Sequence, residues 1–472
     1  MTDNAKKVII DWLDANHAGF DELALQHWKN PEIAFEEIEA VKLQMEFMEK
    51  QGFKIIQKEG LPTAFMAEWG EGSPVIGLLG EYDALGGLSQ DTVATKKPYK
   101  EGAPGHGCGH NVLGVGALMA ACAAKEALKA AGLKGTIRYY GCPAEEQLTG
   151  KGKMAKLGYF DGTEVALAWH PHDITTVAAC TMTAVYTARF QFTGRSAHAG
   201  AYPEMGRSAL DAVELMNVGA NYLREHMLDQ DRLHYTITNG GQAPNIVPPE
   251  AEVWYFIRAP HEVELASLWQ RLVKVAKGAA MMTETEVKVL PIGGCYNTLP
   301  SLSLNRILED NLMNFAGVPG FDEKDMAFAR EIRATLPENQ ITAAMKRPVP
   351  PEGDNSIMLS NPIPTHDQGT FMMGSSDVGD VANMMPTSML WGATWPVGVL
   401  QHSWQASGCA GTALATKGMR QSAKAMAGAM FDLAKDKALL EETQAEFKKI
   451  RAGKVYKPID DVLGVEGINE LT

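Results

Sequence analysis

Gly105-His106-Gly107-Cys108-Gly109-His110-Asn111 puts two imidazoles, a thiol and three glycines into seven residues. Glycine permits close backbone approach and positive φ, so Cys108 and His110, two apart on such a turn, can aim at one centre. A borderline-soft divalent ion such as zinc accepts that thiolate and imidazole pair. Read alone, the stretch also describes a tight turn with a buried thiol and a capping histidine. His106 is a rival ligand within it, or else orients the turn through a hydrogen bond.

Three other segments offer matching donors: Glu145-Glu146, His170 and His402. Amide hydrolysis at neutral pH needs an activated water, a proton carrier and a stabiliser for the oxyanion. A bound metal ion lowers the pKa of its water from about 15.7 to about 7, and paired ions sit roughly 3.5–4 Å apart. The candidate ligands are Cys108, His110, Glu146, His170 and His402, with Glu145 left to move the proton. A lone Glu-Glu pair reads as a solvated acidic turn; in company with the other segments it reads as ligand and base. His172 rivals His170. Asp83 is either a ligand or the group that orients an imidazole. No Gly-x-Ser-x-Gly, Walker lysine, three-glycine dinucleotide or His-Glu-x-x-His motif competes with this chemistry.

These residues need a frame that brings them together. Helical spacing covers residues 5–28, Asn30-Pro31-Glu32 breaks it, and a second helix runs from the Phe35-Glu36-Glu37 segment to about Gln51. Strands are expected over Thr63–Trp69, Val75–Leu79, Gly135–Cys142 and Val165–Trp169, with a long helix over Asn111–Ala131. The second, third and fourth of these strands deliver Asp83, Glu145/Glu146 and His170 at their ends. A largely parallel sheet gathers such ends along one edge, where α/β proteins carry their sites.

From about Thr183 the pattern changes to a β-α-β-β-α-β order: strand Ala184–Phe192, helix Gly206–Met227, strands His234–Thr238 and Ala251–Arg258, helix Val263–Ala280 and a strand near Val287. This is a ferredoxin-like α+β unit inserted in an α/β catalytic domain. The expected boundaries are 1–183, 184–296 and 297–472. Helices follow at Leu304–Phe315, Asp325–Leu336, Ala410–Lys435 and Ala438–Ile450, with a long surface loop over 346–369.

At 472 residues two domains are the natural prior. The balance of 43 basic and 57 acidic residues gives −14, which argues against nucleic acid and an anionic membrane as partners. The longest apolar run, Val112–Ala124, is too short to span a bilayer and reads as a buried helix. The N-terminus is charged and amphipathic, unlike a signal peptide. Six scattered cysteines make no disulfide framework, and a cytoplasmic location follows as the expectation. The 24 methionines read as core filling.

In order along the chain stand Asn30-Pro31-Glu32, Phe35-Glu36-Glu37, Gly80-Glu81-Tyr82-Asp83-Ala84-Leu85, Gly107-Cys108-Gly109-His110-Asn111, Pro143-Ala144-Glu145-Glu146, Ser196-Ala197-His198-Ala199 and His402-Ser403-Trp404. The series resembles the two-metal amidohydrolases that include aminoacylases, carboxypeptidase G and the auxin-conjugate hydrolases. The resemblance covers nearly the whole chain. It implies one or two divalent ions per protomer, Mn2+ or Zn2+, and an N-acyl amino acid or dipeptide substrate, an aminobenzoyl-glutamate-like conjugate first. It further implies a homodimer through the inserted domain, with His198 reaching the partner's active site to stabilise the oxyanion. Asn245, in a segment similar to the family's lid, would touch substrate, and Arg258 would clamp a substrate carboxylate or else form a structural salt bridge. Where commoner relatives have His-x-Asp, this chain has Glu81-Tyr82-Asp83, so Cys108 with His110 replaces the usual ligand set, as in the auxin-conjugate branch. A dipeptidase or general aminoacylase would use the same machinery. A catalytically silent member of a two-part enzyme is the reading from another class, since one relative works as one of two different subunits.

Overall fold

A computed structural model describes residues 4–347 and 357–469. The chain divides into two compact units: 1–180 with 299–370 and 381–455, and 181–298 with 371–380 and 456–472. Residues 371–380 and 456–472 thus join the unit that the sequence places at 184–296.

The first unit is built on a seven-stranded sheet. Its order is Lys54–Ile56, Phe65–Glu71, Gly135–Cys142, Val75–Glu81, Val165–His172, Thr387–Ala393 and Thr176–Ala178. The four strands from Gly135–Cys142 to Thr387–Ala393 run parallel, and antiparallel strands flank them on both sides. Helices cover both faces of a parallel core, so its strands are apolar throughout instead of alternating; all seven residues of Thr387–Ala393 are buried. That strand is absent from the sequence expectation. Its Thr, Ser and Gly dilute the apolar run, and full burial removes the period-two signal.

The helix His110–Ala131 is long and apolar enough to pass for a membrane span, but 94% of the window concerned is buried inside the fold. It packs against the helices Asn4–Lys29 and Ala413–Lys435. Glycine lets it press on the sheet: a Cβ at Gly114 would lie 2.5 Å from the main-chain oxygen of Glu81. The expected helix over 410–435 is the helix Ala413–Lys435, and a separate short helix, Trp404–Ala410, precedes it and ends at Gly411. Of the expected 346–369 loop, residues 348–356 lie outside the described residues.

The second unit carries a four-stranded antiparallel sheet in the order Glu286–Cys295, Ala184–Thr193, Glu250–Ala259, Arg232–Asn239. With the helices Ala209–Leu223 and Glu262–Thr283 this is the ferredoxin-like arrangement. The first helix starts at Ser208, whose side chain accepts from the Asp211 N–H, slightly later than its apolar spacing suggests. Alternation sets the core: Tyr186, Ala188, Phe190 and Phe192 point inward with Val253, Tyr255, Leu268 and Trp269.

Candidate metal centre

The C-terminal ends of the parallel strands in the first unit carry the acids and one imidazole. Glu81 ends the strand Val75–Glu81, and Asp83 follows two residues later. The strand Gly135–Cys142 leads through Pro143 and Ala144 into a short 3-10 turn, Glu145–Gln147. Ala144 sits in left-handed backbone at φ 55, and its N–H donates to Glu37 Oε1 at 2.8 Å. Burial, reinforced by the charge of Asp83, raises the Glu37 carboxyl to about 8. His170 lies within the strand Val165–His172, opposite Trp391.

Two turns complete the cluster. Gly109, at φ 75, opens the helix His110–Ala131, and Asn111 ties that helix start to Ala24 and Ala410 through their carbonyls. His402 also has positive φ, 59, and its N–H donates to Gly107 O at 2.8 Å. The His402 loop and the Cys108 turn are therefore stitched main chain to main chain.

The side chains converge. His110 Nδ1 stands 2.9 Å from Asp83 Oδ1 and 3.1 Å from Asp83 O, both acceptors, so this nitrogen carries a proton, and in the neutral ring Nε2 is the lone pair. That lone pair lies 3.4 Å from Glu81 Oε2 and 3.9 Å from both Glu145 Oε2 and Glu146 Oε1. Asp83 Oδ2 accepts from the Glu146 N–H at 2.8 Å, so one carboxylate fixes both His110 and the glutamate turn. Cys108 Sγ is 3.4 Å from His170 Nε2, whose Nδ1 donates to Pro171 O at 2.7 Å. His402 Nε2 is 3.3 Å from Glu146 Oε2. Cys108, His110 and His170 form one group with ligand atoms within 4.8 Å of one another, and Cys108, Glu146 and His402 another.

Three atoms in this cluster are buried without a hydrogen-bond partner: His110 Nε2, Glu81 Oε2 and Glu146 Oε1. Leaving such groups unsatisfied costs about 1–3 kcal/mol each, more for a charged group. Burial opposes the charged form of His110, but Cys108 and Asp83 raise its pKa well above the usual imidazole value; a divalent ion would take the place of the Nε2 proton and accept all three atoms. Sulfur, nitrogen and oxygen donors together suit a divalent transition-metal ion. Without a cation, burial and the Glu146 charge push the Cys108 thiol well up, and burial with the neighbouring His110 takes His170 down to about 3. A bound dication reverses the first effect by holding the thiolate directly.

The rival histidines face elsewhere. His106 donates from Nε2 to the His27 carbonyl at 3.2 Å, and His172 Nδ1 is 2.7 Å from Asp173 Oδ1. The sequence reading gave no role to Lys151, which is buried against Glu81. Its flanking glycines just after Glu145-Glu146 were the available hint.

In the second unit, His198 and Asn245 lie on paired backbone, where the Ala199 N–H donates to Asn245 O at 3.0 Å. His198 Nδ1 accepts from the N–H groups of Gly200 and Ala201 at 3.2 and 3.1 Å, so its Nε2 carries the hydrogen. Arg258 donates to Ser375 Oγ at 2.7 Å and has no carboxylate partner among the described residues.

Residues 184–281 match the family described as peptidase dimerisation domain. The chain is 38% identical over 463 residues to one of the subunits of p-aminobenzoyl-glutamate hydrolase from Escherichia coli, covering 95% of this chain and 96% of that protein. It is 31% identical to the Xaa-Arg dipeptidase of Mus musculus over 60% of this chain and 65% of the relative. A solved dinuclear metal-binding peptidase of the M20 family from Bacillus subtilis shares the fold, with a TM-score of 0.53 at 17% identity over 88% of this chain and 98% of the other. With a relative this similar along almost its full length, the chain belongs to the p-aminobenzoyl-glutamate hydrolase family.

Proposed function

We propose that the chain is a metal-dependent amidohydrolase that cleaves the amide bond of N-acyl amino acids, with a p-aminobenzoyl-glutamate-like conjugate as the first substrate to test. The observation that carries this reading is the set of buried, unpartnered donor atoms on His110, Glu81 and Glu146. Cys108, His110, Glu146, His170 and His402 would hold one or two ions, Mn2+ or Zn2+. A divalent ion held there supplies Lewis-acid polarisation and acidifies water.

The chain's own groups do the rest. Asp83 holds the His110 imidazole with its lone pair toward the cluster. Glu145, adjacent in sequence to the ligand Glu146 and 7% exposed, is the proposed general base, taking the proton of the attacking water and passing it to the leaving amine. His198 presents an Nε2–H, the form required of an oxyanion donor. Arg258, a guanidinium with no carboxylate partner among the described residues, is the proposed clamp for the substrate's α-carboxylate, and Asn245 the proposed neighbouring contact.

The dimerisation-domain match supports a homodimer through the 184–281 region. The hydrolase of Escherichia coli has two differently named subunits, and this chain is 38% identical to one and 29% identical to the other. That pairing supports a second, different chain as a further partner. The cysteines among the described residues are free, in keeping with the proposed cytoplasmic location. Hydrolysis assays with p-aminobenzoyl-glutamate, acetyl amino acids and Xaa-Arg dipeptides, each with manganese and with zinc, test the reading. Release of amine from an acyl amino acid is expected, and no turnover of any of them with either metal would overturn it.

A further inference from the structure

Lys151 belongs to the short helix Gly150–Lys156, just after the Glu145–Gln147 turn. Its Nζ meets Glu81 Oε1 at 2.6 Å, with Lys151 0% and Glu81 3% exposed. Removing an ammonium and a carboxylate from water costs several kcal/mol per ion, and their attraction commonly does no more than offset it. Fold stability therefore gives this pair little reason to exist.

Its position gives a better one. Glu81 Oε1 is engaged by Lys151, while Oε2 is buried without a hydrogen-bond partner and faces His110 Nε2 at 3.4 Å. Glu81, His110 and Glu145 also form a third group with ligand atoms within 4.8 Å of one another. One carboxylate thus joins a fixed positive charge to the nitrogen that faces the metal cluster.

We infer that Lys151 is a positioning residue whose ammonium, acting through Glu81, sets the affinity of the cluster for its divalent ions. This rests on the metal site proposed above and adds a charge balance to it. Neutralising Lys151 removes a positive charge from beside the cluster while the Glu81 carboxylate stays, and a dication then binds more tightly. Neutralising Glu81 removes a negative charge from beside the cluster while the ammonium stays, and the dication binds more weakly. Neutralising both restores the balance. A merely structural pair carries no such opposition of sign, because losing either partner would loosen the same site.

The test uses the full-length chain freed of metal by a chelator, then titrated with zinc and with manganese in competition with a chromophoric chelator. Relative to wild type, K151M is expected to bind about tenfold more tightly, E81Q about tenfold more weakly, and E81Q/K151M within about threefold. Unchanged or weaker binding by K151M overturns the inference. Should K151M fail to fold without metal, E81Q and the double variant decide, and a double variant as weak as E81Q overturns it. Because binding is read and not turnover, a chain that holds ions but hydrolyses nothing contradicts the proposed reaction and leaves this inference standing. A wild-type chain that binds neither ion overturns it.

Discussion

Asp83 and His110 are locked together at 2.9 Å, both fully buried, and that single hydrogen bond decides which imidazole nitrogen faces the donor cluster. With Nδ1 donating to the carboxylate, Nε2 is the nitrogen turned toward Glu81, Glu145 and Glu146, and the one a metal ion would take. Carboxylates behind a ligating imidazole also raise its basicity. Asp83→Asn can present an N–H to Nδ1 and favour the wrong tautomer. Divalent-ion affinity should fall by about 10–100-fold, the usual cost of losing such support, measured by chelator competition on the folded protein.

Glu145→Gln separates the proposed base from the proposed ligand. Glu146 lies in the group with Cys108 and His402, whereas Glu145 lies with Glu81 and His110. The variant should keep its metal content while kcat falls by about 10²–10⁴-fold, the range for losing a general base. Elemental analysis beside steady-state kinetics reads both quantities, and a retained rate would remove Glu145 from this role.

Arg258→Lys keeps the charge and loses the planar fork. If the guanidinium grips a substrate carboxylate in bidentate fashion, KM should rise about tenfold or more for a free acid. The corresponding α-amide should be a poor substrate for wild type and variant alike. Equal KM changes for acid and amide would assign Arg258 to its Ser375 contact alone.

His27 gives a pH dependence that does not involve turnover. Burial lowers its pKa from 6.5 to about 4, and the Gln44 amide faces its Nε2 at 3.4 Å. The folded state holds it neutral, whereas the unfolded chain takes up a proton below about pH 6.5. Its contribution is present above that pH and is lost as pH falls through about 4. At 1.36 kcal/mol per pKa unit the loss amounts to about 3 kcal/mol. Urea denaturation of wild type and His27→Gln at pH 7.5, 6 and 4.5 should show a steeper acid decline in wild type.

The sequence made much of this site legible because its chemistry is local. Cys108 and His110 announce themselves by glycine spacing, and apolar runs ending in Asp83, Glu145-Glu146 and His170 are what parallel strands look like. The strand Thr387–Ala393 was not legible, since burial on both faces erases alternation and Ser388 and Gly392 interrupt its apolar character. Nor was Lys151: a lysine in a helix reads as solvated, and only the fold shows it meeting Glu81. The left-handed backbone at Ala144 and His402 was hidden for a related reason. Neither is a glycine, and both conformations are imposed by distant hydrogen bonds, to Glu37 in one case and to Gly107 in the other.

The measurement closest to the central claim is amide hydrolysis by the chain before and after complete removal of divalent ions. The purified protein should carry one or two equivalents of transition metal, lose hydrolysis of its acyl amino acid when stripped, and regain it on addition of manganese or zinc. Undiminished hydrolysis by a chain shown by elemental analysis to be metal-free would contradict the account.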